Sequence, residues 1–174
     1  RRTMVDMLNY GAAAQVYFKY DQLNLANSCL TEEEKAYATE SVTMVDKRVA
    51  DVNYYGSTLN LGSNIQLSMF FRNITPDMYA IVTFTDHYGH DKTVRIDGSK
   101  FKKYKENIYR IYIEEMVIAD ARQLVTCTVY DDADNAVATA TDSIESYIAR
   151  GNASEPIYEA IVKFADSAYA YFHP

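Results

Sequence analysis

The stretch that most constrains the fold of this chain is QLVTCTVYDDADNAVATAT, which runs from Gln123 to Thr141. In its first half Val125, Cys127 and Val129 alternate with threonine and tyrosine, so one side of an extended segment is apolar and the other is polar. The DDADN segment supplies residues that tolerate left-handed backbone and hydrogen-bond their own main chain. The stretch therefore predicts a β-hairpin with one face on a core.

The same period of two continues through the middle of the chain. It predicts seven strands with short, turn-rich connections: Val52–Leu61, Asn64–Arg72, Tyr79–Asp86, Lys92–Asp97, Asn107–Glu115, Gln123–Tyr130 and Ala136–Thr141. In the fifth strand the alternation leaves three side chains on the outside, which are Ile108, Arg110 and Tyr112. About seven short strands at this spacing are typical of an antiparallel immunoglobulin-like sandwich.

Helical periodicity replaces the alternation at both ends of the sequence. A first helix is predicted from about Met4 to Tyr20 with Thr3 as its cap, and Thr31-Glu32-Glu33-Glu34 is a capping box that opens a short helix. Ser154 is predicted to cap a last helix. The fold prediction is mainly β with flanking helices, packed as one globular unit in three segments: N-terminal helical residues 1–40, a β-sandwich over 41–141 and C-terminal helical residues 142–174.

The two terminal helices resemble each other. Residues Leu8–Phe18 align without gaps on residues Val162–Phe172, and apolar residues match at five points: Leu8/Val162, Tyr10/Phe164, Ala14/Ala168, Tyr17/Tyr171 and Phe18/Phe172. Two amphipathic helices rich in alanine and aromatic residues can match by chance. The alternative is an internal repeat in which a helix of this type closes each β unit.

Composition and charge exclude some partners. The net charge of −7 argues against nucleic acid, which calls for clustered basic residues. No apolar run approaches the roughly 18 residues of a membrane span, so no membrane insertion is predicted. The basic cluster Lys100, Lys102, Lys103 and Lys105 is interpreted as a solvated edge or turn. Cys127 is predicted to be a small buried hydrophobe, and whether it pairs with Cys29 stays open.

Four segments carry a family resemblance: LNYGAAAQVYF (8–18), NLAN with LTEEEK (24–35), TVYDDADNAV (128–137) and DSIESYIAR (142–150). They resemble recurrent segments in large secreted or surface proteins of anaerobic Gram-positive gut bacteria, where such modules accompany leucine-rich, cohesin/dockerin-type or other repeat domains. The chain departs from that pattern where its turn contains Asp134-Asn135 instead of Asp-Gly. The resemblance implies an extracellular accessory module, and its motifs are structural.

Two acidic segments are candidates for metal binding, Asp86–Asp91 with two histidines and Asp131–Asn135. Both are interpreted as plain turns, because adjacent turn residues rarely converge on one point and the calcium-loop pattern is incomplete. The sequence contains no Ser/His/Asp arrangement, nucleotide-binding loop or CxxC motif. We therefore predict no catalytic residues, no metal and no cofactor.

Three functional classes follow. The first is a non-enzymatic interaction or spacer module of an extracellular or cell-surface protein, with other domains of its parent chain or a surface protein as partners. The alternative is a carbohydrate-binding sandwich, in which exposed tyrosines stack on sugars; the candidates are Tyr54, Tyr55, Tyr88 and Tyr112. An enzyme, the least favoured class, would require a deep pocket with perturbed carboxylates.

Overall fold

The computed structural model describes residues 1–62, 65–152 and 154–174. The long helices α1, Arg2–Phe18, and α4, Pro156–Phe172, flank the strands. Two short helices lie between them in the sequence, α2 at Glu32–Ala36 and α3 at Ile144–Tyr147. Helices at both ends were predicted, and this is confirmed. No helix within these ranges combines the length and the apolar character that crossing a bilayer requires.

The described residues form nine strands in two antiparallel sheets. Their bounds are Val49–Ala50 (β1), Tyr54–Leu61 (β2), Ile65–Arg72 (β3), Tyr79–Thr85 (β4), Asp91–Asp97 (β5), Lys102–Lys105 (β6), Ile108–Ile113 (β7), Val125–Tyr130 (β8) and Ala136–Asp142 (β9). The five-stranded sheet has the order β1-β9-β8-β4-β5, and the four-stranded sheet has the order β2-β3-β7-β6. The prediction of a mainly β, antiparallel, sandwich-like fold is confirmed at this level.

The predicted number of seven strands is wrong. Each of the seven predicted segments contains a strand, and β1 and β6 are additional. Strand β1 has only two residues, too few to produce a periodic signal. Strand β6 lies in the lysine cluster that was interpreted as a solvated edge or turn; it is an edge strand that pairs Lys102 with Arg110 of β7. Asn64, the predicted first residue of the second strand, lies outside the described residues.

The helix caps agree with the sequence only in part. Thr31 and Glu34 form the predicted capping box. The predicted cap Thr3 is wrong, because α1 begins at Arg2 and the Thr3 hydroxyl donates instead to the Ser167 carbonyl oxygen at 3.0 Å. The predicted cap Ser154 is also wrong, since Glu155 is the residue that precedes α4. The Thr3 hydroxyl therefore joins α1 to α4 and does not cap the free N–H groups of α1.

The inner faces of the two sheets meet in one apolar core. From the four-stranded sheet, Leu67, Met69 and Phe71 of β3 are completely buried. From the five-stranded sheet, Val125, Cys127 and Val129 of β8 are equally buried, and all six residues belong to one contiguous cluster. The predicted alternation is therefore confirmed in both strands. Side chains of opposite parity face away from the core and form the two outer faces.

A buried carboxylate joins the two sheets near the end of β9. Asp142 accepts hydrogen bonds from the Tyr54 hydroxyl at 2.8 Å and the Ser57 hydroxyl at 2.7 Å, both on β2. Arg150 completes the group, with Nη1 3.1 Å from Oδ1 and Nη2 2.9 Å from Oδ2 of Asp142. Burial raises the pKa of the Tyr54 phenol, and the Asp142 carboxylate raises it further. A buried ion pair is tolerated when its remaining hydrogen-bonding capacity is filled in this way.

Helices α1 and α4 pack against each other in antiparallel orientation. Thr3 at the start of α1 bonds to Ser167 near the end of α4, and the Tyr17 ring near the end of α1 contacts Tyr158 near the start of α4. This pair closes the chain against the β layers, since Ile157 and Ile161 of α4 belong to the common core.

The sequence match between the two helices has a structural counterpart. Tyr10 stacks on Phe164, with ring centroids 6.3 Å apart and planes at 16°, and these two residues are equivalent in the alignment. Each helix ends in an exposed Tyr-Phe pair, Tyr17-Phe18 and Tyr171-Phe172, with edge-to-face rings 5.1 and 5.0 Å apart. The matching residues thus include part of the face through which the helices contact each other. A repeat beyond this pair stays a prediction.

Both cysteines are free thiols in this structure. Cys29 is exposed in the loop that precedes α2, and Cys127 is buried in the core. Desolvation raises the pKa of Cys127 to about 12. The prediction of Cys127 as a buried hydrophobe is confirmed.

Candidate functional site

The outer face of the four-stranded sheet brings aromatic rings and basic side chains together. Cross-strand register places Phe70 of β3 beside Arg110 of β7, and Ser68 beside Tyr112, on the side opposite the core. We call this surface the aromatic–basic face and define it by eight residues: Tyr55, Phe70, Arg72, Lys102, Tyr104, Lys105, Arg110 and Tyr112.

Two β-bulges bring tyrosines onto this face. The register between β2 and β3 shifts between Tyr54 and Gly56, and the register between β6 and β7 shifts between Lys103 and Lys105. An extra residue in a strand re-aims the side chains around it. As a result Tyr54 points into the core, whereas Tyr55 lies outside, where its ring contacts those of Phe70 and Tyr104.

Three rings form a tilted cluster. The ring centroids of Phe70 and Tyr104 are 4.8 Å apart with planes at 58°, and Tyr55 lies 6.3 Å from Tyr104 and 6.5 Å from Phe70. Phe70 is only 8% exposed, whereas Tyr55 is 40% and Tyr104 51% exposed. Phe70 is therefore the base of the cluster, and the two tyrosines present their rings to solvent.

Basic groups lie over these rings. The Arg72 guanidinium carbon is 4.9 Å from the Tyr55 centroid, and the Lys105 ammonium is 5.4 Å from Tyr55 and 5.2 Å from Tyr104. Lys105 also donates a hydrogen bond to the Tyr55 hydroxyl at 3.2 Å, and this bond raises the pKa of Lys105. These cation–π contacts favour positions of the basic groups over the rings. Each contact contributes only a small stabilisation, because the groups are exposed to solvent.

The face is basic on a chain that is acidic overall. The outward positions of β2, β3, β6 and β7, all within the described ranges, carry no aspartate or glutamate. The net charge of −7 is therefore carried elsewhere on the molecule. A local surface of one sign attracts ligands of the opposite sign, while the rest of the chain repels them.

The structure brings together only two of the four predicted tyrosines. Tyr55 and Tyr112 lie on the aromatic–basic face. Tyr88 is 50% exposed in the turn between β4 and β5, where its ring contacts Phe172 at 4.5 Å. The expectation that Tyr54 is exposed is wrong, since the residue is 9% exposed. The bulge in β2 turns its side chain toward the core, where the hydroxyl donates a hydrogen bond to Asp142.

Six residues of the face were not among the sequence candidates: Phe70, Arg72, Lys102, Tyr104, Lys105 and Arg110. The alternation had already placed Arg110 outside, but nothing in the sequence joined its strand to the strand that carries Phe70. A strand assignment for KKYK, residues 102–105, would have put Tyr104 on the same side as Lys102, but alternation alone puts Lys105 on the opposite side, and only the bulge brings it to this face.

The first acidic candidate segment is a structural turn. The Asp86 carboxylate accepts hydrogen bonds from the main-chain N–H groups of Tyr88 and His90, both at 2.9 Å. The His87 ring Nδ1 lies 2.7 Å from the buried Asp120 carboxylate, which also accepts the main-chain N–H of His87. These contacts fix the turn between β4 and β5 to the segment before β8.

The second acidic segment is also a turn. The Asp131 carboxylate accepts the main-chain N–H groups of Ala133 and Asn135, at 3.0 and 2.8 Å. Across the ranges the structure describes, no cluster of three or more histidine, cysteine or acidic side chains is arranged to hold a metal ion.

Comparison with protein-family models gives no match for this chain, and comparison with curated proteins gives none either.

Proposed function

We propose that this chain is a non-enzymatic binding module of an extracellular or cell-surface protein, and that it binds an extended glycan on the aromatic–basic face. The observation that carries the proposal is the pair of exposed rings, Tyr55 and Tyr104, beside basic side chains on a solvent-facing sheet. Tyrosine offers an apolar ring face together with a hydroxyl group, and this combination suits a ligand that is apolar on one side and polar at its edge.

The immunoglobulin-like topology is part of the same proposal. In that fold strands A, B, E and D form one sheet, and G, F, C and C′ form the other. If β1 is set aside, β2-β3-β7-β6 has the order A-B-E-D and β9-β8-β4-β5 has the order G-F-C-C′. This order supports an immunoglobulin-like sandwich, a fold whose faces and loops commonly serve recognition.

The roles of the buried charged groups support a non-enzymatic function. Asp142 joins the sheets through Arg150. Glu145 of α3 pairs with Arg122 and accepts the main-chain N–H of Val45. Each of these two carboxylates connects separate segments of the chain through an arginine. Catalytic carboxylates instead face a cleft where a substrate can reach them.

The test compares two pairs of tyrosines on opposite faces. A glycan array identifies ligands of the intact chain, and affinity electrophoresis or calorimetry then measures the double variant Tyr55→Ala/Tyr104→Ala. The matched control is Tyr79→Ala/Tyr130→Ala, which removes two outward tyrosines from the five-stranded sheet. We expect the first variant to bind at least about tenfold more weakly and the control to bind as the parent does. Unchanged binding by the first variant, or no glycan bound by the intact chain, would contradict the proposal.

A neighbouring domain of the parent chain, or another surface protein, is a second proposed partner. The helix pair leaves Met4 59% and Met7 44% exposed, beside the exposed Tyr171 and Phe172. Exposed apolar groups in one patch are typical of contact surfaces. In the parent protein, Met4→Gln/Met7→Gln should increase protease cleavage between the domains and leave the isolated chain equally stable. Identical cleavage patterns would argue against this contact.

A further inference from the structure

Arg110 on the aromatic–basic face carries a charge whose hydrogen-bonding capacity is unused. Its Nε and Nη2 atoms are buried and have no hydrogen-bond partner among the described residues. The guanidinium lies between two rings, 4.3 Å from the Tyr112 centroid and 5.5 Å from Phe70. The hydroxyl of Ser68, which the register places beside Tyr112, is also buried and unpartnered. Unpaired buried donors are costly to a fold, so they mark places where a partner is expected.

The other arginines make the contrast clear. Six have a carboxylate oxygen within 4.0 Å: Arg1, Arg2, Arg48, Arg95, Arg122 and Arg150. Arg72 and Arg110 have none among the described residues, and both lie on the aromatic–basic face. The face lacks the anion that the chain supplies to arginine elsewhere.

The row of residues that contains Arg110 has open space at its far end, beyond Phe70. In register, one row of the sheet runs from Lys102 through Arg110 and Phe70 to Gly56. Gly56 has no side chain, and a Cβ atom placed there would meet nothing within 4 Å. The row therefore has an open end beside the rings, bordered by the exposed Tyr55.

We infer that the ligand of this face is an anionic glycan, and that Arg110 pairs with the carboxylate of a uronic acid residue. The inference rests on the proposed function, since it names the class of glycan that the same face binds. Nε and Nη2 of Arg110 are closed to solvent and Nη1 is not among these buried atoms, so a carboxylate first meets Nη1, and a bidentate pair requires the covering rings to shift. Arg72 and Lys105 supply further positive charge next to the tyrosine rings on which sugar rings stack.

A uronic acid polymer fits the face better than other polyanions. The exposed surfaces beside the charges are the rings and hydroxyls of Tyr55 and Tyr104, which suit a sugar that is part apolar and part polar. An acidic peptide would have to bind mainly through charge, because the outer face offers side-chain surface and no row of free main-chain groups.

The test uses polymer pairs that differ only in charge. Polygalacturonate, alginate and hyaluronan are each compared with their carboxyl-esterified forms by affinity electrophoresis and calorimetry at two salt concentrations. We expect at least one acidic polymer to bind at least about tenfold more tightly than its ester. Arg110→Gln should lose about tenfold of that affinity, and Arg110→Lys, which keeps charge without the planar fork, should lie between. Arg95→Gln is the matched control: Arg95 also stacks on a tyrosine, but on the other sheet.

The remaining outcomes separate the two proposals. If glycans bind through Tyr55 and Tyr104 with equal affinity for acid and ester, the proposed function stands and the anionic assignment is overturned. If no glycan binds, the proposed function fails and the inference fails with it. If polyglutamate or single-stranded DNA binds as tightly as the acidic polymers with the same dependence on Arg110, the site is a general polyanion site and the uronic acid assignment is overturned. Far-ultraviolet dichroism and melting curves establish that each variant is folded.

Discussion

The outer faces of the two sheets start from similar residues and reach opposite states. On the five-stranded sheet a row of threonines crosses four strands, since Thr141, Thr126, Thr83 and Thr93 are paired in register. Thr126 and Thr141 hydrogen-bond each other through their hydroxyls at 2.8 Å. On the four-stranded sheet the corresponding central positions carry rings and arginine. The middle row of one outer face is made of small hydroxyls, whereas the middle of the other projects large side chains.

The clearest difference concerns how tyrosine and arginine are satisfied. On the five-stranded sheet Tyr79 and Tyr130 stack with centroids 5.2 Å apart and planes at 14°, and Arg95 covers Tyr79 at 3.6 Å. Asp134 accepts the Tyr79 hydroxyl at 2.7 Å, and Asp97 lies 3.2 Å from Arg95. The Tyr79 hydroxyl and the Arg95 guanidinium each have an acidic partner within the chain, and the two tyrosine rings cover each other.

On the aromatic–basic face the same residue types have no acidic partners. Arg110 lies on Tyr112 as Arg95 lies on Tyr79, but no carboxylate approaches Arg110 among the described residues. A tyrosine–arginine contact is therefore not by itself a binding site, since both sheets have one. The presence or absence of a neighbouring carboxylate decides whether the surface is closed or open to an anion.

The largest expected effect comes from removing what the two sheets share. Arg150→Ala leaves Asp142 buried without its cation, and we expect a loss of about 3–5 kcal/mol in the free energy of unfolding. Urea denaturation measures it, with Arg48→Ala as the control, because the Arg48 ion pair with Asp46 is exposed and should change stability by less than about 0.5 kcal/mol. If the two variants lose equal stability, the Asp142–Arg150 ion pair does not hold the two sheets together.

Next in size is a direct comparison of the two outer faces. Phe70→Ala removes the buried base of the ring cluster and should cost about 2–3 kcal/mol, which is large for an outward position. Thr128→Ala at a central outward position of the five-stranded sheet should cost less than about 0.5 kcal/mol. Thermal and urea unfolding measure both. Equal losses would mean that packing does not distinguish the faces, and only charge would.

Much of this architecture could be predicted from the sequence. The period of two located all seven of the longer strand segments and assigned the sides of β3 and β7 correctly, because alternation is a local property of each strand. The capping box at Thr31 and the left-handed Gly151 after α3 are local signals too. Where a decision depends on residues close in sequence, the pattern is informative.

The candidate site depends on features that are not local. A bulge, which the sequence does not mark, determines that Tyr54 is buried and Tyr55 is exposed. Tyr104 belongs to the face only because β6 pairs with β7, which the sequence did not predict. Arg110 has no neighbouring carboxylate among the described residues, and which side chains lie beside it depends on the register of the whole sheet. Such properties require the assembled fold.

The reactivity of the two thiols reports how firmly the five-stranded sheet covers the core. Cys127 lies beneath the five-stranded sheet with its pKa raised to about 12 by burial, whereas Cys29 is exposed. Because the thiolate is the reactive form, a disulfide reagent at pH 8 should modify one thiol per native molecule quickly and the second only on unfolding. Arg150→Ala should accelerate the second reaction. Fast modification of both thiols in the native chain would mean that the five-stranded sheet opens readily, unlike the closed surface described above.

The smallest expected effect is the pH dependence of glycan binding. The two faces differ here in the charge beside a tyrosine hydroxyl, which is a lysine on one face and an aspartate on the other. Tyr55 accepts a hydrogen bond from Lys105 and raises its pKa above the ordinary 10.5, whereas Tyr79 donates to Asp134, which raises the Tyr79 pKa above 10.0. A lysine is charged below its pKa, so Lys105 keeps its charge throughout pH 6–9, and a uronate ligand is ionised over the same range. We therefore expect the affinity for an acidic glycan to change by less than about twofold between pH 6 and 9. A steep change in that window, measured by calorimetry, would assign binding to a group that titrates near neutrality, and the histidines lie in the turn between β4 and β5 and after α4, away from the aromatic–basic face.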